Sequence, residues 1–590
     1  MRLSDFLFEK LAEFGVDKVF LVTGRGALFL TDALAKSKRI RTICTHHEQS
    51  AAYAAAAHAQ LNNTLGVCLV STGCASTNAI TGVLNAYQDG LPVLFISGQN
   101  ILKETTYFTK RKIRTYGQQE ANIIEIVNSI TKYAVTVTEP NEIKYHLERA
   151  IYFANVGRKG PVWIDIPLDL QSAQIEVDKI IGFDDALVDI QASEEDIGYL
   201  KKEIFASKRP VLLIGSGIRS ADVLKEFSEF AQTNEIPVVY TPSAPDIYPL
   251  SHELSIGSLG SMGCSRAGAF AVQNSDCIIV LGSRLSSITT GVDFCKFARN
   301  SKLIVVDIDV DEHKKNALNI NRIILQNLKF LFNKLGKARL TDEITPWVSK
   351  CMHWKQTFAH EAHFSSAEKI DLYDLTYALS SVLADDAILI TDSGLIEVII
   401  PSNLNFGTQR RSIHPVSQGS MGFAIPAALG VADAMRQIVI VVGDGSFMMN
   451  MQELETIRAH KVPVKLIVVS NNVYSIIRRR QRELFRNRTI GTDPSNGVTV
   501  PNFEQVAKLF EFEYVSIKDI SSLESVLRYV MQYQGPVLCE IFGKEDQAYI
   551  EVSHVKNSLG KFVRRPLEDQ WPFLERDKFL SEMVVEPIDQ

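Results

Sequence analysis

Short runs of consecutive apolar, mostly β-branched residues recur along this chain, each closing on a turn and followed by a helical pattern. They include VDKVFLVTGRG (16–26), LGVCLVSTG (65–73), LPVLFISGQ (91–99) and GPVWIDIP (160–167). Later come RPVLLIGSG (209–217), CIIVLGSR (277–284), KLIVVDID (302–309), AILITDSG (387–394), IVIVVGDG (438–445) and VKLIVVSN (464–471). A strand that is apolar at successive positions is buried on both faces, as in a parallel sheet covered by helices on both sides. So many strand–helix units exceed one open sheet. The expected fold is α/β, with three doubly wound parallel-sheet domains at 1–175, 190–340 and 370–555 and a tail at 556–590. An acidic, irregular stretch (178–196) separates the first two, and a helical linker containing Trp347 and Trp354 separates the last two.

Composition narrows the class. With 46% apolar and 22% charged residues in 590, the chain has a globular balance. Lys+Arg 62 against Asp+Glu 68 leaves a net charge of -6, with no long basic block, so no nucleic-acid partner is expected. The eight cysteines are scattered without a Cys-x-x-Cys pair, which points to a reducing compartment and away from a disulfide framework or thiolate zinc site. MRLSDFLFEKLAEFG opens as an amphipathic helix rather than a signal peptide. No run of about 18 apolar residues is present, so no membrane span is expected. These features together describe a large cytoplasmic enzyme.

The sharpest chemical signal is Gly443-Asp444-Gly445-Ser446, directly after the run IVIVV. The spacing of Phe447, Met451 and Leu454 predicts a helix after this turn. A strand leading through glycines into a helix N-terminus favours an anion, because free backbone N–H groups point at it. Asp444 would repel a phosphate unless a cation lay between them, and Mg²⁺ is commonly shared by carboxylates and phosphates. VKLIVVS ends at Asn471-Asn472, where a parallel sheet would place a further oxygen ligand beside the first turn.

GDGSF…SNN resembles the diphosphate–Mg²⁺ motif of thiamine-diphosphate (ThDP) enzymes, and the likeness covers nearly the whole chain. Within that superfamily the sequence is similar to acetohydroxyacid synthase, also called acetolactate synthase. The segments carrying the likeness are HHEQSAAYAAAAHAQ (46–60), STGCASTNAITGVLNAYQDGLPVLFISGQ (71–99) and IGSLGSMG (256–263). GSRLSSITTG (282–291), GSMGFAIPAALG (419–430) and GDGSFMMNMQELETI (443–457) complete it. The resemblance implies that Asp444, Asn471 and the main-chain carbonyl of Val473 ligate Mg²⁺, Asn472 being the adjacent alternative. It places Gly443, Gly445, Ser446 and Tyr474 around ThDP. It gives Glu48 the catalytic bond to N1′ of the cofactor's pyrimidine, which promotes proton loss from thiazolium C2, and sets Gln119 among the catalytic residues. The Gly419 carbonyl would accept the 4′-amino hydrogen, while Met421 props the bent cofactor. The chemistry favours a dry setting for Glu48, where desolvation raises a carboxyl pKa. His46 and His47 have no third ligand at metal spacing. A homodimer or homotetramer is implied, with each cofactor clamped between two chains.

LLIGSGIRS (212–220) is an incomplete dinucleotide-type turn. By resemblance the central domain holds FAD through Gly215, Gly217, Arg219, Arg284 and Asp309; an empty structural domain is the alternative. Departures from the family gather around the substrate: Arg25, Cys74, Gln118 and Leu395 replace its usual Gly, Pro, Phe and Gln, and Arg480 stands where it carries Trp. Arg25, Gln118 and Arg480 are therefore the candidate substrate residues. An Arg fork suits carboxylate or phosphate, although Arg478-Arg479-Arg480 also fits a solvated face. The leading function is decarboxylation of a 2-keto acid, pyruvate above all, with acetyl transfer to a carbonyl acceptor. Alternatives are a larger anionic keto-sugar acceptor, plain decarboxylation, and a non-catalytic assembly subunit.

Overall fold

The computed structural model describes residues 1–184, 190–315, 317–359, 369–432, 435–556 and 560–588. Every apolar run quoted above forms a strand, in three six-stranded sheets whose strand pairings are all parallel. The first sheet contains β1 (Lys18–Leu21), β2 (Arg41–Cys44), β3 (Gly66–Val70), β4 (Val93–Gln99), β5 (Tyr133–Thr136) and β6 (Val162–Pro167), in the order β2-β1-β3-β4-β6-β5. The second contains β7 (Pro210–Ile214), β8 (Val238–Tyr240), β9 (Ser255–Ser258), β10 (Cys277–Leu281), β11 (Lys302–Asp307) and β12 (Arg322–Leu325), ordered β12-β11-β10-β7-β8-β9. The third contains β13 (Ile388–Thr391), β14 (Arg411–Ile413), β15 (Ile438–Gly443), β16 (Lys465–Ser470), β17 (Glu513–Ile517) and β18 (Val537–Phe542). Its order, β14-β13-β15-β16-β18-β17, repeats that of the first sheet strand for strand. The middle sheet has the dinucleotide-binding order, with its switch point between β7 and β10.

The outer sheets are not independent. Helix Glu48–Asn62 packs on helix Ala424–Val431, and side chains from both sheets, including Phe95, Trp163, Ile440 and Leu466, join one buried core. Small residues permit this approach: a Cβ on Gly430 would lie 2.2 Å from the Ala54 carbonyl oxygen, and one on Gly82 would lie 2.3 Å from Ala52 Cβ. The alanine-rich sequence 51–57 is therefore a close-packing surface shared by two sheets.

Trp347 and Trp354 lie on helix Thr345–Thr357, which packs into the middle body rather than bridging domains. Both rings are buried, and their indole N–H groups reach the Pro210 carbonyl (2.9 Å) and the Glu582 carboxylate (3.0 Å). The segment after 560 returns to the same core. Leu567 and Phe579 enter it, and the buried Arg266 donates to the Gln570 and Pro572 carbonyls at 3.1 and 2.7 Å. The helix expected after the Gly-Asp-Gly turn is broken into Asp444–Phe447 and Glu453–Ala459, which still bury Phe447 and Leu454 in one core. Among the described residues no helix is long and apolar enough to cross a membrane.

Candidate active site

The chemistry-bearing residues collect at the C-terminal strand ends, where parallel sheets present ligand crevices. On the third sheet β15 and β16 run side by side, with Gly443 opposite Val469. This register brings the Asp444 carboxylate to the end of β16. One oxygen accepts from Gly445 N–H (2.8 Å) and the other from the N–H groups of Asn471 (2.9 Å) and Asn472 (2.6 Å). Asp444 is 3% exposed; burial raises its pKa above the ordinary carboxylate value, against the pull of those three donors. Asn471 turns its side chain into the loop, accepting from Val473 N–H (3.2 Å) and donating to Ser475 Oγ (3.2 Å) and the Lys544 carbonyl (3.3 Å). Asn472 is exposed and left-handed, with φ 56. Val473 is buried. Among the described residues no three His, Cys, Asp or Glu side chains converge as a metal cluster. A cation at Asp444 would therefore depend on amide and main-chain oxygens, a donor set suited to a hard ion such as Mg²⁺.

Gly445 is a steric necessity. A Cβ there would lie 1.9 Å from the Tyr474 ring, whereas one on Gly443 meets only Ile396 Cδ1 at 3.7 Å. Gly445→Ala is expected to displace Tyr474 and destabilise the cofactor-free protein by about 1–3 kcal/mol, while Gly443→Ala leaves it within about 1 kcal/mol. Thermal melts of the two variants check this contrast, and equal losses would contradict it.

The turn Pro415–Gly422 carries Gly419 (φ 58) and the half-buried Met421. Its shape is held by Asp392, at the end of β13, a residue that the motifs did not single out. The Asp392 carboxylate accepts from Ser393 N–H (2.7 Å), Gly422 N–H (3.1 Å) and Ala424 N–H (3.0 Å). Burial pushes its pKa up to about 6, although these donors and the side chain of the buried Ser446 oppose the rise.

On the first sheet Glu48 begins the helix that follows β2. It is half-buried, and its carboxylate accepts from Asn78 Nδ2 at 2.9 Å. The dry setting expected for this carboxyl is thus absent from a single chain. Glu453 and Asn450, within a quoted motif but given no role, tie this helix start to the third body. Glu453 accepts from His46 N–H (3.0 Å), and Asn450 bonds Ser50, Gln49 and the Gly422 carbonyl. Arg25, after β1, donates to the Gln118 side chain, and Gln119 follows in the exposed stretch with φ 59. Arg25, Glu48, Gln118 and Gln119 thus share one sheet edge. Among the described residues no hydrogen bond or ion pair joins them to Asp444, Asn471 or Arg480.

The arginine row is not a freely solvated face. Arg478 is buried and paired with Asp546 (2.8 Å) and Glu545 (3.3 Å). Arg479 binds Glu551 and stacks over Tyr549 and Trp571, at 5.2 and 5.7 Å from the ring centres. Arg480, 51% exposed, pairs with Glu483 (3.1 Å) and Glu551 (3.7 Å).

A cavity of about 620 Å³ opens at the switch point of the middle sheet and is walled by all three bodies. Gly217, Arg219, Arg284 and Asp309 line it; Gly215 does not. A Cβ on Gly215 would lie 2.3 Å from the Gly282 carbonyl oxygen, so its role is close packing of two turns. The Gly217 N–H is already given to Gly282 O (3.0 Å). Arg219 and Arg411 flank Asp246 and, against its burial, hold that carboxyl below its ordinary pKa. Arg284 reaches Ser417 Oγ (3.3 Å), two residues before Gly419, so cavity and turn share a wall. Two buried amide oxygens lining the cavity, Gln88 Oε1 and Gln418 Oε1, have no hydrogen-bond partner. Glu397 also lines it; burial, with Asp89 and Asp392 nearby, raises its pKa well above the usual carboxylate range.

Comparison with known proteins agrees with this arrangement. Residues 1–126, 199–329 and 392–541 match the family models of the thiamine pyrophosphate enzyme N-terminal TPP binding domain, central domain and C-terminal TPP binding domain. The acetolactate synthase large subunit of Corynebacterium glutamicum is 31% identical over 512 residues, covering 84% of this chain and 79% of that one. The chain belongs to the thiamine pyrophosphate enzymes and is acetolactate synthase-like. The Lactococcus lactis large subunit is 29% identical over 545 residues (91% of this chain, 92% of that one). Acetolactate synthase isozyme 1 large subunit of Escherichia coli is 29% identical over 556 residues (92% and 95%). This ThDP enzyme is of the decarboxylase and carboligase kind, and its outer sheets correspond to the two TPP-binding domains.

Proposed function

We propose that this ThDP enzyme decarboxylates pyruvate and joins the two-carbon unit to a second small 2-keto acid, forming acetolactate or a homologue. The observation that carries the reading is the register of β15 and β16, which sets Asp444 beside Asn471 at one strand edge. Asp444, the Asn471 side chain and the Val473 carbonyl would hold Mg²⁺. The exposed, left-handed Asn472 is the weaker candidate. Gly443, Gly445, Ser446 and Tyr474 would receive the diphosphate, and the space over Gly445 is reserved by the Tyr474 ring rather than by a side chain of its own. Bound ThDP supplies the carbon nucleophile for the keto carbonyl and the electron sink for loss of CO₂. Glu48 would exchange a proton with the pyrimidine ring nitrogen, the Gly419 carbonyl would orient the amino group, and Met421 would support the ring.

The active unit in this reading is a homodimer, or a pair of dimers. Glu48 is half-buried in one chain, and among the described residues no hydrogen bond or ion pair joins it to the Asp444 turn; a second chain would cover it. Both strand edges expose large apolar side chains, such as Tyr116, Ile113, Met449 and Ile477, which an isolated chain would leave in water. The cavity fits FAD. It has the volume of a cofactor site and lies at a switch point. Its unpaired Gln88 and Gln418 oxygens suit the N–H groups of adenine and flavin. A flavin absorbance spectrum that remains with the purified protein checks this assignment.

Arg480 is already held by Glu483 and Glu551, so the arginine row offers no unpaired anion site and the small acceptor is the reading retained. Product analysis tests it directly. With pyruvate, ThDP and Mg²⁺, acetolactate is expected as the main product. Acetaldehyde alone would make the protein a plain decarboxylase, and absence of CO₂ release would overturn the assignment.

A further inference from the structure

Asp165 sits in the middle of β6, 2% exposed, where an apolar side chain would be the ordinary occupant. It lies opposite Ser97 of β4 on one side and Thr136 of β5 on the other. Ser97 Oγ donates to one carboxylate oxygen at 2.5 Å; Thr136 Oγ1 and Gln99 Nε2 donate to the other at 3.4 Å each. The direction of these bonds is set from the core. The Trp163 indole can only donate, and it donates to Ser97 Oγ (2.8 Å), which leaves the Ser97 hydrogen for Asp165. The acid in turn takes an N–H from Gln99, so the amide nitrogen of Gln99 faces inward and its oxygen faces the strand edge.

Both ends of that amide are used at the edge. Gln99 Oε1 accepts from Thr72 Oγ1 (2.5 Å) and from Asn100 N–H (3.0 Å), while Nε2 also donates to the Ala121 carbonyl (3.0 Å). Thr72 begins the turn after β3, and Ala121 closes the stretch that carries Gln118 and Gln119. The two segments touch only because of Gly73: a Cβ there would lie 1.7 Å from the Gln119 carbonyl oxygen. Asn100 Nδ2 fixes the Gln118 carbonyl from the other side (2.9 Å), and the Gln118 side chain carries the bond from Arg25. A flipped Gln99 amide would set its oxygen against both Asp165 and the Ala121 carbonyl, so one orientation is enforced.

We infer that Gln99, oriented by Asp165, is the positioning residue that seats the substrate-side segment Gly117–Ala121 against the Thr72–Gly73 turn. The inference rests on the proposed function and on the sequence-based reading of Gln118 as a substrate residue and Gln119 as a catalytic one, on the edge that carries Glu48. Burial pushes Asp165 up to about 7 against its three donors, with Glu120 adding to the rise, so this acid is retained at a cost that packing alone does not require.

The test uses the full-length holoenzyme with ThDP and Mg²⁺, comparing acetolactate with free acetaldehyde at saturating pyruvate and measuring total CO₂ release. Gln99→Met keeps the volume and loses the amide. The ratio of acetolactate to acetaldehyde is expected to fall about ten- to a hundredfold, as for a displacement of about 1 Å, with CO₂ release within about threefold of wild type. Asp165→Leu should behave alike, and Asp165→Asn, with its oxygen kept toward Gln99 and its NH2 donating to the second lone pair of Ser97 Oγ, should restore the wild-type ratio. An unchanged ratio in Gln99→Met, or an equal loss of ratio and CO₂ release, overturns the inference. If Gln99→Met does not fold, Asp165→Leu against Asp165→Asn decides by the same ratio. Gln118→Ala separates the two layers. If Gln118→Ala lowers the ratio while Gln99→Met does not, the positioning role alone is wrong. If Gln118→Ala leaves the ratio unchanged, the underlying placement of the segment fails, and the inference with it.

Discussion

Glu48→Gln is expected to lower CO₂ release and carboligation together by about 10²–10⁴-fold, the usual cost of removing a general acid/base group, while ThDP and Mg²⁺ still bind. The side chain starts the helix after β2 and accepts from Asn78 Nδ2 at 2.9 Å. An amide of the same size keeps that bond, because Asn78 Nδ2 can donate to the Gln oxygen. Fold and cofactor affinity therefore persist, and what is lost is the proton that a carboxyl exchanges with a ring nitrogen. Steady-state CO₂ release beside a ThDP titration measures both effects. Near-normal turnover in this variant would remove Glu48 from the catalytic role.

Asp444→Ala fails differently, and mixing the two variants reports how the site is assembled. Three backbone N–H groups converge on the Asp444 carboxylate, from Gly445, Asn471 and Asn472. Alanine leaves those donors without an acceptor and removes the acid proposed to ligate Mg²⁺, so ThDP–Mg²⁺ retention and activity are expected to fall to background. Each variant alone is inactive. If Glu48 of one chain works with Asp444 of another, a mixed dimer has one doubly damaged site and one intact site. Random pairing makes about half the dimers mixed, so roughly a quarter of wild-type activity should return. The measurement is activity of the co-expressed, differently tagged chains before any selection; purification for both tags, which keeps only mixed dimers, should raise it to about half of wild type. Mixed dimers that bind ThDP yet stay inactive would refute the shared site.

The strands legible in the sequence share a physical property. The quoted runs are β1, β3, β4, β6, β7, β10, β11, β13, β15 and β16, all interior to their sheets. An interior strand of a parallel sheet is covered on both faces, so burial writes an unbroken apolar run into it. The strands not signalled include all six sheet edges: β2, β5, β9, β12, β14 and β17. β2 and β17 are partly exposed along their length, and such sequences carry no continuous run. The Gly-Asp-Gly turn and Asn471 were also legible, because glycine, acid and amide at strand ends have a chemistry that does not depend on distant neighbours.

Other features exist only in three dimensions. The sequence marks Trp347 and Trp354 as a linker, since nothing local shows that the Pro210 carbonyl and Glu582 await their indoles. Arg25 and Gln118 are separate departures in sequence and one bonded pair in the fold. Asp165 goes unremarked within the run GPVWIDIP, and only its register with Ser97 and Thr136 shows it buried between two strands. By itself the sequence determined the class of fold and the family, and it supplied the residues proposed to hold a diphosphate and its cation, because burial on both faces and donor type are properties of short segments. Only the tertiary structure decided the shared core of the outer sheets, the cavity walled by three bodies and the half-exposure of Glu48. Those depend on which distant surfaces meet, and no local periodicity records that.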